Sequence, residues 1–343
     1  MLHRPFSHYI IAAAVLLLLA ATACSRQEEE PGNDRPVSVT EPGTLDEIIT
    51  PDRRPFITEL SIAGSLDHTD IAYIRQMPEL RYLDLSAVSL PDNFLPENAF
   101  ANHEALEEVL LPSTLDSIGS SAFRWCEELQ TVQLPRHLIV IGSYAFAGCK
   151  NLHDIDPPAS LLRIDKQAFS GCISLHGITL PSGLSRIADG TFSQCRSLAS
   201  IAIPSAVRSI GYQAFAGCDR LQAIHIPSTV KKVGISAFQD CIELTEIDWP
   251  TSLTEIDYYT FAGCKSLTTI TLHSQLTAIA DHAFDGCKSL TEIHSKNSTP
   301  PQIEAETFRN VNHLACRVFV PSERAQKSYR AASYWSDFLI YVE

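Results

Sequence analysis

Residues 122–135 read AFRWCEELQTVQLP, residues 168–181 read AFSGCISLHGITLP and residues 214–227 read AFAGCDRLQAIHIP. In each stretch a phenylalanine is followed by cysteine at the third residue, leucine at the sixth, a branched aliphatic at the ninth and proline at the twelfth. Working outward, the phenylalanine recurs as Phe100, Phe123, Phe146, Phe169, Phe192, Phe215, Phe238, Phe261 and Phe284, always 23 residues apart, then as Phe308 after 24. Eight cysteines keep the same interval, Cys126, Cys149, Cys172, Cys195, Cys218, Cys241, Cys264 and Cys287. A fixed period of this length is the mark of stacked supersecondary units, each unable to bury its apolar face alone.

Within a unit the proline decides where the strand lies. It has no amide to donate, so it ends a paired strand and does not sit inside one. The strand is therefore the segment before it, as in Leu129–Leu134, where Val132 and Leu134 alternate with Thr131 and Gln133 at the two-residue period of a pleated strand. The second half of each unit adds further inward residues, such as Leu115 with Ile118 and Leu253 with Ile256, which close the turn of the coil. Stacking ten such units gives columns of Phe, Cys, Leu and Ile, and a parallel sheet with strands about 4.8 Å apart.

This A-F-x-x-C-x-x-L-x-x-I-x-L-P pattern resembles the BspA-like leucine-rich repeats of bacterial surface proteins, over about residues 99–310. The resemblance implies an α/β solenoid: a right-handed coil with a parallel, concave β-sheet and short helical or irregular segments on the convex side. Residues 56–98, with Ile57, Leu60, Ile62, Leu80, Leu83 and Leu85, are read as two atypical leucine-rich units shielding the first regular one. Residues 311–343 are read as a cap: a strand in Cys316–Pro321, a helix N-capped by Ser322, and Trp335, Phe338 and Ile340 folding back as a lid.

The N-terminus reads as an address. Ile10 to Ala21 is an apolar run of 12 residues, too short to span a bilayer and of the length of a secretory signal. Ala21, Thr22, Ala23 and Cys24 resemble a bacterial lipobox, which implies a signal peptide over residues 1–23 and a lipid on Cys24. The Ser25 to Glu30 patch is similar to the surface-export tether of Bacteroidota lipoproteins. Residues 24–55, rich in Pro, Gly, Asp and Glu, are expected to form a flexible acidic tether.

The chain is 45% hydrophobic and 19% charged, with a net charge of −14; removing residues 1–23, which carry Arg4 and no acid, leaves −15. Such a balance argues against a nucleic-acid partner, which requires a basic stripe.

Four readings compete for the cysteine column: disulfides, metal ligation, a catalytic thiol and core packing. Adjacent coils project equivalent side chains in parallel, and cysteine in leucine-rich repeats serves as a small buried hydrophobe with a weak donor, so packing is the reading adopted. No C-x-x-C or H-x-x-x-H pair offers metal ligands, and no Gly-rich phosphate loop is present, so no metal, cofactor or enzymatic activity is expected.

What remains is the outward side of the strands: Glu108, Thr131, Gln133, Asp154, Asp156, Thr179, Ser200, His225, Glu246, Asp248, Thr269, Thr271, Glu292 and His294. These positions vary from unit to unit while the core columns do not, so the scaffold does not dictate them. They form the candidate binding face, polar, hydroxyl-rich and mildly acidic, without aromatic platforms for sugar stacking. The expected function is an exported outer-membrane lipoprotein, at the cell surface, binding a macromolecule, in the first place a protein of adhesion or host-factor type. The alternative is a structural or assembly scaffold within the envelope.

Overall fold

The computed structural model describes residues 36–343. The repeat builds a parallel β-solenoid whose coils are joined by three inter-coil ladders.

The first ladder is the strand before the proline. Val37–Val39, Glu59–Ser65, Tyr82–Ser89, Glu108–Leu110, Thr131–Gln133 and Asp154–Ile155 pair in parallel, in chain order. Ala223–His225 pairs with Glu246–Asp248, and Thr269–Leu272, Glu292–Ser295, Arg317–Val320 and Leu339–Val342 form a second parallel group. The sheet is thus not continuous as the sequence suggests. The coils carrying Ile178 and Ile201 keep both side chains buried but form no regular strand. Here Pro157 withholds an amide and Gly177 has no side chain to pack against its neighbours.

The second ladder lies across the core, where two-residue strands such as Ser117–Ile118, Val140–Ile141 and Arg163–Ile164 stack in parallel. These short strands and the turns between them close each coil, with Ile118, Ile141 and Ile164 pointing inward.

The third ladder runs through the phenylalanines. Ser121, Phe123 and Trp125 donate their amides to the carbonyls of Ser143, Ala145 and Ala147 in the next coil. The tight path needs left-handed backbone two residues before and two residues after the phenylalanine, as at Ser121 (φ 58°) and Trp125 (φ 61°). The rings themselves are buried and stack with centroids 5.1 to 5.8 Å apart from Phe100 to Phe308. Offset stacks of this spacing add to the burial of each ring, which contributes about 1.5–3 kcal/mol alone.

Cysteine completes the turn. From Cys126 to Cys287 each Sγ donates to the carbonyl of the phenylalanine one coil back, at 3.0 to 3.3 Å. All nine described cysteines are free and buried. Burial pushes the Cys126, Cys195 and Cys287 thiols up to about 12, so they stay protonated donors.

Both ends are closed. At the N-terminal end the expectation of a flexible tether fails over residues 36–55, which are folded: Val37–Val39 joins the sheet and Leu45–Ile48 forms a helical turn. Val39, Leu45 and Ile49 cover the first coil. The carboxylate of Asp70, itself buried, accepts from the amides of Gly43, Leu45 and Asp67 at 2.7 to 3.0 Å, which ties this segment down. At the C-terminal end Ser322 caps the helix Glu323–Ala331 by accepting from the Ala325 amide, and Tyr329, Trp335, Phe338 and Ile340 cover the last coil. Among the described residues no helix is long and apolar enough to cross a membrane.

Candidate functional site on the strand face

Strand alternation positions the candidate face. Val109, Val132, Ile155, Ile224, Ile247, Ile270 and Ile293 are buried, so the residue on either side of each must point away from the core. All fourteen residues expected on this face are exposed or half-buried. Register brings some of them together: Glu108, Thr131 and Asp154 form one row, which Glu59 and Tyr82 extend toward the N-terminus. Thr179 and Ser200 lie in the two coils without regular strands, and separate this row from the next group.

The N-terminal row borders a hollow of about 570 Å³ lined by Glu59, Arg81, Tyr82, Glu107, Glu108 and Thr131. Arg81 pairs with Glu107 at 3.0 Å. Burial, and then the carboxylates of Asp84, Glu108 and Glu59, raise the Tyr82 phenol, which keeps it neutral.

A second hollow, also about 570 Å³, includes His225, Glu246, Asp248, Trp249, Thr271 and His273. His225 Nδ1 lies 3.1 Å from an Asp248 carboxylate oxygen, and both side chains are largely solvent-exposed. Trp249 is core, as expected, with its ring edge-on to Phe261. His273 breaks the proline series for a visible reason. Its Nε2 meets the Leu253 carbonyl at 2.9 Å while its Nδ1 accepts from the Gln275 amide at 3.1 Å, the partners of a neutral Nε2–H tautomer. In the coils before it, Ser160, Thr229 and Ser252 supply the equivalent bond with their hydroxyls.

The C-terminal group differs most from expectation. Thr271, His294, Phe319 and Tyr341 fall in one row across four strands, and Thr269, Glu292, Arg317 and Leu339 in the row beside it. His294 stacks on Phe319 with centroids 4.8 Å apart, and Phe319 meets Tyr341 at 5.8 Å. Arg317 bonds Glu292 at 3.1 Å and lies 5.9 Å from the Phe319 centroid. Hydrogen bonds from Lys296 and then His294 hold the exposed Glu343 carboxyl below its usual range. Phe319 and Tyr341 therefore give this face an aromatic end that the repeat pattern did not disclose. The signal available was the R-V-F-V alternation of residues 317–320, in which inward Val318 and Val320 place Phe319 outward.

The face holds no assembled nucleophile. His225 and His294 point outward, whereas the thiols lie inside and protonated. Among the described residues no group of three or more His, Cys, Asp or Glu is placed to hold a metal ion. Cys24 lies outside the described residues.

Comparison with known proteins gives the following. Residues 93–222 and 208–323 match the BspA type leucine rich repeat region, in six copies. No curated protein matches the sequence. Among solved structures, a leucine-rich repeat protein from Bacteroides ovatus is 22% identical, with 83% of this chain and 88% of that one covered and a TM-score of 0.48. A leucine rich cell surface protein from Faecalibacterium prausnitzii is 24% identical over 68% of this chain and 85% of that one, with a TM-score of 0.36. The leucine rich repeat protein of T. pallidum is 29% identical over 53% of this chain and 77% of that one, with a TM-score of 0.38.

Proposed function

This chain belongs to the BspA-type leucine-rich repeat family, and from that premise we propose that it is an exported, lipid-anchored surface protein that holds a protein partner against its strand face. Cys24 carries the lipid in this reading, and adhesion or capture of a host factor is the class of activity.

One observation supports the strand face over the rest of the surface. Its outward residues change from coil to coil, while the inward residues of the same strands repeat as Val or Ile. Rigid scaffolds commonly present variable, functional residues in this way. Asp154, Asp156, Glu246 and Asp248 suit a basic segment of the partner; Tyr341 and Arg317 are residue types that supply much of the energy in protein interfaces, and Phe319 is of a type enriched at their cores. Long-range attraction by the carboxylates acts mainly on the rate of encounter, the aromatic end on residence time.

Capture of matrix and cell-surface proteins on immobilised purified protein tests the partner class. Recovery of a specific protein by wild type, and its loss with D154N/D156N/E246Q/D248N, is the expected result; equal recovery by both removes the acidic residues from the reading. Protease treatment of intact cells tests the location, with cleavage expected. Fatty-acid labelling of wild type but not of Cys24→Ala tests the anchor.

A further inference from the structure

Trp125 stands at a left-handed turn position that the other coils fill with glycine or a polar residue. It lies two residues after Phe123, and the equivalent positions in five other coils are Gly148, Gly171, Gly217, Gly263 and Gly286, all at positive φ. Trp125 takes the same left-handed backbone, at φ 61°, which a bulky residue adopts only under strain. Its indole is 43% exposed, unlike Trp249 and Trp335, which are 5% and 1% exposed. The remaining coils place Asn102, Gln194, Asp240 and Asn310 here, so Trp125 is the one bulky aromatic at a left-handed position otherwise held by glycine or a polar residue, and its exposed ring invites a use outside the fold.

The surroundings define that use. On one side the benzo ring covers Gly148 so closely that a Cβ there would lie 2.3 Å from it. On the side of the preceding coil, Trp125 borders a cavity of about 530 Å³ with Asn102, Glu104, Glu127 and Glu128. Glu127 is neutralised by Lys150 at 2.7 Å, and Glu128 accepts from Asn151 at 3.0 Å. The guanidinium of Arg124 already lies 5.9 Å from the indole centroid and 5.2 Å from that of Tyr144. Within the described residues, the Asn102 amide, the Glu104 carboxylate and the Trp125 indole N–H have no hydrogen-bond or ion-pair partner. The groups left available are the exposed part of the indole, one amide, one carboxylate and one N–H donor.

From this juxtaposition we propose that Trp125, Asn102 and Glu104 form a carbohydrate-binding site on the phenylalanine edge of the solenoid, separate from the strand face. A neutral pyranose matches the set. Its C–H face stacks on the indole, while vicinal hydroxyls donate to the Glu104 carboxylate and exchange hydrogen bonds with the Asn102 amide. A cationic ligand fits less well, because the neighbouring Arg124 guanidinium, 5.9 Å from the indole centroid, repels it and Lys150 offsets one of the carboxylates.

The test uses the fluorescence of the purified protein, in which Trp125 is the one exposed tryptophan of the three. Maltohexaose, cellohexaose, mannohexaose and chitohexaose are titrated singly, and protection of the emission from acrylamide quenching is read. Saturable protection by at least one of them is expected, weakened tenfold or more by E104Q and by N102A. W125G, which installs the residue of the five glycine coils, should lose binding on a glycan surface while its melting temperature stays within about 3 °C of wild type. D154N/D156N/E246Q/D248N should bind the saccharide as wild type does. Protection by tetramethylammonium or trilysine with none by the saccharides would overturn the proposal in favour of a cation site. Absence of protection in every arm would overturn it outright.

Discussion

The Sγ of Cys149 donates to the carbonyl of Phe123 at 3.0 Å, and the same bond recurs in each coil up to Cys287 and Phe261. It joins one coil to the next at the centre of the tightest turn, where that carbonyl also accepts the Cys126 amide at 3.1 Å. The thiol column is therefore a structural bond series buried in the core. Cys195→Ala should lower stability by about 1–3 kcal/mol, from the lost bond and the cavity together, measured by urea unfolding. In the native protein at pH 8.5 no described cysteine should react with a thiol reagent, since the thiolate is the reactive form and burial suppresses it. Denaturation without reductant should expose all nine. One reactive thiol or fewer under those conditions would show that the column is oxidised.

His103 takes the place of cysteine in the first regular coil and is buried, with neither ring nitrogen in a hydrogen bond. Burial pushes its imidazole down; the Met77 carbonyl, near it but outside hydrogen-bonding geometry, only partly offsets this. A base with a depressed folded-state pKa binds fewer protons folded than unfolded. Its contribution is thus present above the unfolded value of about 6.5 and is lost as pH falls below it. Unfolding free energies at pH 7.5 and 5.5 should differ more for wild type than for His103→Cys, which restores the residue of the other coils. An equal difference would remove His103 as the source.

Asp70 holds the N-terminal closure through three backbone amides. Asp70→Ala should cost about 2–4 kcal/mol, the range for losing several charge-assisted bonds and leaving buried donors unpaired. Limited proteolysis should then cut within residues 40–50, which wild type protects.

The last strand, Leu339–Val342, has one unpaired edge, and unpaired edges invite another strand. The Ile340 carbonyl accepts from Gln326 Nε2 at 2.8 Å and from an Arg330 guanidinium nitrogen at 3.3 Å. Q326A/R330A should free that carbonyl and promote association, read as a concentration-dependent mass increase by light scattering. A monomer at all concentrations would mean that the helix Glu323–Ala331 blocks the edge by bulk alone.

The repeat made most of the solenoid readable. Phe123, Cys126, Leu129 and Val132 recur because each coil must match its neighbours atom for atom, so their period reports the stacking itself. The parts that stayed hidden depend on contacts without a period. Residues 36–55 look like a linker until the Asp70 carboxylate is seen to bind their amides from more than twenty residues away. The gap in the sheet at Ile178 and Ile201 arises from local defects, Pro157 and Gly177, inside an otherwise regular pattern. Phe319 and Tyr341 join the strand face through capping strands outside the 23-residue register, and Trp125 sits in a turn where composition alone reveals neither strain nor exposure.

The central claim is that the strand face is the recognition surface. The most direct measurement is the affinity of a captured protein partner for wild type, for D154N/D156N/E246Q/D248N and for F319A/Y341A, each at two salt concentrations. Both variants should bind at least about tenfold more weakly, a loss of about 1.4 kcal/mol, with unchanged melting temperatures, and only the acidic variant should lose the salt dependence. Wild-type affinity in both variants would contradict the account.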